Sequence, residues 1–181
     1  MKEKIGTLYA EKWQQRWSEA TTGAHSRRLQ PRLNEKALKR LTRMSRAQSS
    51  LVVQLRTGKI GFRAFLHKMR VPGFDDPLCK ECEEGKEMTV EHVLMECPKW
   101  TTLREECFAR AFKRGISPTL EGLLDTRKGC LAAAKMVGKT KLLVQFNSCD
   151  LDIVGEEENE KENEEGGTEE NAEEDDNAPA C

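Results

Sequence analysis

Ile5, Tyr9, Trp13 and Trp17 recur every fourth residue through residues 2–20. That spacing predicts a helix with one apolar stripe, stopped by Thr21, Thr22 and Gly23, and the stripe calls for a partner to pack on. Asn34 is placed to cap a second helix carrying Ala37, Leu38 and Leu41. Ser45 and Gln48 form a capping-box pair for a third, Ala47 to Thr57, with Leu51, Val52 and Leu55 inward and Gly58 at its end. Gly61 to Met69, with Phe62, Phe65 and Leu66, reads as a short fourth helix that stops before Val71, Pro72 and Gly73. Thr89 caps a segment from Val90 to Glu96. Pro98 then opens a longer helix through Trp100, Leu103, Cys107, Phe108, Ala111 and Phe112, closed by Gly115. Ser117 and Pro118 read as cap and first turn ahead of Leu120, Leu123 and Leu124, and Leu131 to Phe146 as a last helix interrupted by Gly138. The expected fold is mainly α: a small helical domain with an inserted Cys-Cys-His-Cys loop and helix.

Charge divides the chain into three zones. Residues 1–70 hold 17 bases and 4 acids, residues 71–149 are neutral, and residues 150–181 hold 15 acids and one base, although the whole chain carries only −1. The corresponding reading is a basic helical region (1–70), a zinc-binding loop and C-terminal helices (71–149) that pack with 1–70 as one unit, and an acidic tail (150–181). From about Gly155 the tail has almost no apolar residues with which to offset the entropy of ordering, so it is expected to be disordered. At 181 residues, 34% charged and with mean hydropathy −0.70, the chain has room for one or two small domains but not for a large enzyme core. No apolar run approaches the ~18–20 residues needed to cross a bilayer, and residues 1–5 lack the apolar core of a signal peptide. A soluble chain of the nucleus or cytoplasm, without a membrane partner, is the expectation.

The strongest chemical pattern is Cys79-x2-Cys82-x9-His92-x4-Cys97. These are the ligand types that zinc takes in closed tetrahedral sites, and a two-residue spacing lets both cysteines hold one ion from a tight turn. Five residues of ideal helix turn through about 500°, which leaves His92 and Cys97 on different faces, so the helix must open at its last turn; Pro98 disfavours the α conformation at Cys97. The alternative is three reduced core cysteines and an ordinary histidine. Asp75, Asp76, Lys80, Glu81, Glu83, Glu84, Lys86 and Glu87 surround Cys79 and Cys82 and provide little apolar cover for buried thiols. With four protein ligands no position is left for an activated water, so the zinc would be structural.

Thr89-Val-Glu-His-Val-Leu-Met-Glu-Cys-Pro-Lys-Trp100, with Trp13-Gln-Gln-Arg-Trp17, Arg46 to Gly58 and Arg63-Ala-Phe-Leu66, resembles the C-terminal region of fungal LINE-type (non-LTR) retrotransposon polyproteins over roughly residues 5–147. In those elements this region follows the reverse transcriptase and RNase H domains. The resemblance implies zinc ligation by Cys79, Cys82, His92 and Cys97 and a role in binding nucleic acid. Nine residues separate the second cysteine from the histidine, where the retroviral zinc knuckle has four.

Polymerase and RNase H chemistry both need clustered carboxylates, and the first Asp in the chain is Asp75. Phe74-Asp75-Asp76 lacks the alanine and the upstream Asp of a reverse transcriptase turn, and no phosphate loop or activated nucleophile is recognisable, so no enzyme activity is expected. Arg27, Arg28, Arg32, Lys36, Lys39, Arg40, Arg43, Arg46, Arg56, Lys59 and Arg63 are the candidate contacts to an RNA or DNA backbone, against the plainer reading of a solvated helical surface. Trp13, Trp17 and Trp100 can stack on bases, but their helical spacing favours core packing. His25 and His67 have no evident partners. Cys107 falls on an apolar stripe, and Cys130, Cys149 and Cys181 lack ligand spacing. The acidic tail can pair with the basic half in competition with nucleic acid. The expected function is a non-catalytic, zinc-stabilised nucleic-acid-binding module of retrotransposon origin; the alternatives are a zinc-stabilised protein-interaction module, or an element remnant without selected activity.

Overall fold

A computed structural model of the chain describes residues 2–33, 40–147, 149 and 151, with side chains from Thr7 onward. The protein is mainly helical, and the described residues contain a single isolated antiparallel bridge, Leu78 to Glu87, in place of any strand. Helix α1 spans Lys2–Glu19, α2 Ala24–Leu29, α3 Arg46–Thr57 and α4 Arg63–Lys68. A π turn (His92–Glu96) and a 3-10 turn (Pro98–Trp100) lead into α5 (Thr101–Lys113). Then follow α6 (Leu120–Asp125), α7 (Arg127–Thr140) and a 3-10 turn (Val144–Phe146). The second expected helix, capped by Asn34, and the tail for which disorder was expected lie almost wholly outside the described residues.

Local chemistry accounts for α3 as expected. The Ser45 hydroxyl accepts from the Gln48 amide at 3.2 Å while Gln48 Oε1 accepts from the Ser45 amide at 2.9 Å, and Gly58 closes the helix at φ 69°. Leu51, Val52 and Leu55 are fully buried. Gln48 also donates from Nε2 to the Leu151 carbonyl at 3.3 Å, and Leu151 is itself buried, so the packed domain runs past residue 149.

Helix α7 is the centre of the core. It buries Cys130, Ala133, Ala134, Met136 and Val137 and packs on α3, α5, α6 and the π turn. Its small residues allow the approach: a Cβ on Gly129 would stand 2.0 Å from the Leu123 carbonyl oxygen of α6. The helix therefore starts earlier than Leu131, at a cap where the Thr126 hydroxyl accepts from the Gly129 amide at 3.1 Å. It also runs straight through Gly138, stopping when Lys141 turns to φ 58°. Likewise α6 is capped by Thr119, whose hydroxyl accepts from the Gly122 amide, in place of the Ser117 and Pro118 pair.

Helix α1 forms where the periodicity places it but packs differently. Trp17 is half-buried and donates from Nε1 to the Gln30 carbonyl at 2.8 Å, and Gln14 bonds the Pro31 carbonyl and the Leu33 amide. Trp13 and Tyr9 remain 65% and 64% exposed. The core packing expected for Trp13 is thus corrected: Gln14 and Trp17 tie α1 to the chain at Gln30, Pro31 and Leu33, and Trp13 stands in solvent. Trp100 does pack against the core.

Candidate metal centre and cationic surface

The two halves of the Cys-His cluster come from a closed loop and a deformed helix. Across the loop the Cys79 amide donates to the Lys86 carbonyl at 2.8 Å and the Met88 amide to the Pro77 carbonyl at 2.9 Å, with Gly85 at φ 65° near the tip. These bonds fold Cys79 and Cys82 over the segment that follows. Met88, Val90, Val93 and Leu94 are buried, which fixes that segment in the core. Thr89 caps it as expected, its hydroxyl accepting from the His92 amide at 3.1 Å.

After His92 the helix widens. The Cys97 amide bonds the His92 carbonyl at 2.7 Å, five residues back, and the extra residue in the turn brings the two side chains round to one side. In an α-helix the Leu94 carbonyl would take the amide of Pro98, which has none. Arg104 of α5 replaces it, donating from Nε to the Leu94 carbonyl at 2.8 Å and from Nη2 to the Cys97 carbonyl at 2.9 Å.

The ligand atoms of Cys79, Cys82, His92 and Cys97 all lie within 4.8 Å of one another, and among the described residues this is the one such gathering of metal-ligating groups. Donors on a tetrahedral zinc stand about 3.3–3.8 Å apart; Cys82 Sγ and His92 Nε2 are 3.3 Å apart. Burial pushes the Cys79 thiol up and the Cys97 thiol to about 12, and the adjacent thiols push in the same direction. Backbone amides of Glu81 and Cys82 aim at the Cys79 sulfur, and that of Lys99 at the Cys97 sulfur, and act the other way. Such thiols need a neighbouring cation to ionise, which a coordinated metal ion supplies. The four residues can therefore hold a metal. On the far side of the ring His92 Nδ1 is buried without a hydrogen bond, with Glu96 Oε2 3.7 Å away and Lys86 3.6 Å from the same carboxylate oxygen.

Sequence reasoning did not single out Arg104, Glu96 or Lys86. The signal for Arg104 was present in part, because a proline four residues after Leu94 announces a carbonyl without its usual donor.

Of the eleven candidate nucleic-acid contacts, the structure turns three inward. Arg40 is buried, paired with Asp125 and bonded to Gln30 at 3.2 Å. Arg56 donates to the Leu124 carbonyl and to Gln30 Oε1 at 3.0 Å. Both occupy the carbonyl end of α6, where unpaired acceptors attract cations. Arg63 pairs with Asp76 at 3.3 Å and lies over the Phe74 ring at 5.5 Å. These three are internal struts, a correction to their place among the contacts. Arg28 bridges Glu91 and Glu121, and Arg27 bonds the Thr22 carbonyl. Arg32, Arg43, Arg46 and Lys59 are exposed; Lys36 and Lys39 lie outside the described residues.

Two histidines also gain partners that their sequence context did not suggest. His25 Nε2 bonds the Leu55 carbonyl and His67 Nδ1 the Phe74 carbonyl, each at 3.0 Å. Cys107 and Cys130 are buried core residues apart from the cluster, and burial pushes the Cys130 thiol up to about 11. Among the described residues no helix is long and apolar enough to cross a membrane. Comparison of the chain with protein-family profiles, with curated proteins and with solved structures finds no match.

Proposed function

We propose that this protein is a non-catalytic nucleic-acid-binding module stabilised by one zinc ion at Cys79, Cys82, His92 and Cys97. On the resemblance of its sequence, it derives from the C-terminus of a retrotransposon reverse transcriptase polyprotein. Bound zinc supplies a cross-link between the 79–82 loop and the π turn, and with four protein donors it leaves no coordination position for chemistry. The observation that carries the nucleic-acid reading is the division among the cations of residues 1–70. Arg40, Arg56 and Arg63 are used within the fold, while Arg32, Arg43, Arg46 and Lys59 stand exposed in a segment that holds only 4 acids. Cations of that kind displace condensed counterions from a phosphate backbone, giving sequence-tolerant binding that salt weakens.

The test is fluorescence anisotropy of zinc-loaded and chelated protein against labelled RNA and DNA, from about 50 to 200 mM salt. Full-length protein and a chain ending at Leu151, the last residue seen in the core, are compared. Salt-sensitive binding by the zinc-loaded form, tighter without residues 152–181, is expected. No binding to either nucleic acid by either chain would transfer the reading to a protein-interaction module or to an element remnant without selected activity.

A further inference from the structure

We propose that the open face of α1 is a stacking platform for single-stranded nucleic acid, with Tyr9 and Trp13 as the stacking rings and Lys12 and Arg16 as the phosphate contacts. This rests on the nucleic-acid reading above and names the strand form and the residues that would meet it.

On a helix of 3.6 residues per turn, Tyr9, Lys12, Trp13 and Arg16 fall within about 100° of arc and form one contiguous patch. Gln14 and Trp17, which tie α1 to the chain at Gln30, Pro31 and Leu33, lie on one side of that arc. The patch itself is left open, with Trp13 and Tyr9 at 65% and 64% exposure and Lys12 and Arg16 exposed beside them. The rings are one turn apart, about 6 Å along the axis, so each can take a base of the same strand.

Charge and composition decide the occupant. Glu11 falls on the opposite side of the helix, and Glu19, one turn beyond Arg16 at the edge of the arc, is held by Gln15 at 2.9 Å. Among the described residues of α1, the two rings and Lys12 and Arg16 thus form an aromatic and cationic patch with one carboxylate at its C-terminal edge. A second copy would be a poor fit, because symmetric pairing on the rings would gather Lys12 and Arg16 from both chains, four cations with only the Glu19 pair at the edge to set against them. Leu8, also exposed on α1, lies well over 100° from Trp13 and adds no apolar area to the patch. An unpaired strand offers bare base faces for the rings and phosphates for the cations. A duplex offers phosphates but keeps its base faces stacked inside.

Zinc-loaded full-length protein is titrated with labelled oligo-dT and with a labelled duplex of equal length. The double variant Tyr9→Ala, Trp13→Ala is expected to lose about tenfold in oligo-dT affinity for each ring removed, with duplex affinity unchanged. Trp13→Phe keeps a ring and retains most of the oligo-dT affinity. It also removes most of the tryptophan quenching that accompanies binding, because Trp17 and Trp100 are turned toward the protein. Loss of oligo-dT and duplex affinity in equal measure, or no loss in the double variant, would overturn the proposal. So would a dimer in sedimentation that Trp13→Ala dissociates. If wild-type protein binds neither probe at any salt concentration, the broader nucleic-acid reading fails first.

Discussion

The amide of Cys97 donates to the carbonyl of His92 at 2.7 Å, and this five-residue closure is what lets both residues face one point. One turn earlier the pattern is still α, with the Val93 amide on the Thr89 carbonyl at 3.1 Å. The change of pitch falls on the candidate ligands, and Pro98 and Arg104 hold it there from the C-terminal side. A single π turn is unfavourable enough to be uncommon and recurs at functional positions for this kind of reason.

Glu96 stands behind His92. With Nε2 toward the cysteines and Nδ1 buried, a small movement of the carboxylate, now 3.7 Å away, would complete the bond that orients a ligating imidazole. Glu96→Gln is expected to weaken zinc binding about 10- to 100-fold, read by competition with a chromogenic chelator. Unchanged affinity would remove Glu96 from the centre.

Arg104 serves two carbonyls, that of Leu94, to which Pro98 has no amide to give, and that of Cys97, which also accepts the Trp100 amide at 3.2 Å. Arg104→Met, which keeps the apolar stem, is expected to cost about 1–3 kcal/mol, measured by urea unfolding of the zinc-loaded protein. A change below about 0.5 kcal/mol would mean that solvent replaces the guanidinium.

Two glycines of α7 make opposite predictions. At Gly129 a Cβ meets the Leu123 carbonyl oxygen at 2.0 Å, and a backbone cannot move aside without separating α6 from α7. Gly129→Ala is expected to destabilise by about 1–3 kcal/mol or more. At Gly138 the nearest obstacle is the tip of Leu151 at 2.7 Å, a side chain that can rotate. Alanine gains about 1 kcal/mol of helix propensity there, so Gly138→Ala should change the unfolding midpoint little. Equal losses at the two sites would refute the packing account.

Burial holds the His25 ring below the ordinary histidine value; Arg28 acts in the same direction and the Leu55 carbonyl against it. Below about pH 6.5 the unfolded chain takes up a proton here that the folded chain refuses, so the contribution is complete above that pH and is lost as the pH falls. Unfolding midpoints of wild type and His25→Gln, compared at neutral and mildly acidic pH, should show a smaller acid loss in the variant. Any zinc release is common to both proteins. Parallel losses would count against His25.

What could be read in the sequence is what neighbours along the chain settle between themselves. Ser45 and Gln48 are three residues apart and need nothing else to start α3; Cys79 and Cys82 need only a tight turn; Thr89 needs only the amide of His92. The spacing of His92 and Cys97 also announced that regular helix was inadequate, although the helix widens to a π turn where simple unwinding was expected.

The tertiary structure decided the rest, because it depends on which distant groups lack partners. The charges of Arg40 and Arg56 point to phosphate until the carbonyl end of α6 arrives, 68 or more residues later, and claims them. Gly129 falls ahead of the helix expected from Leu131 until Leu123 needs the space a side chain would fill. Trp13 and Trp17 share one stripe and one residue type. Only the position of the Gln30 carbonyl makes Trp17 an anchor and leaves Trp13 in solvent, since a helical period fixes which side chains share a face but not whether anything comes to cover it.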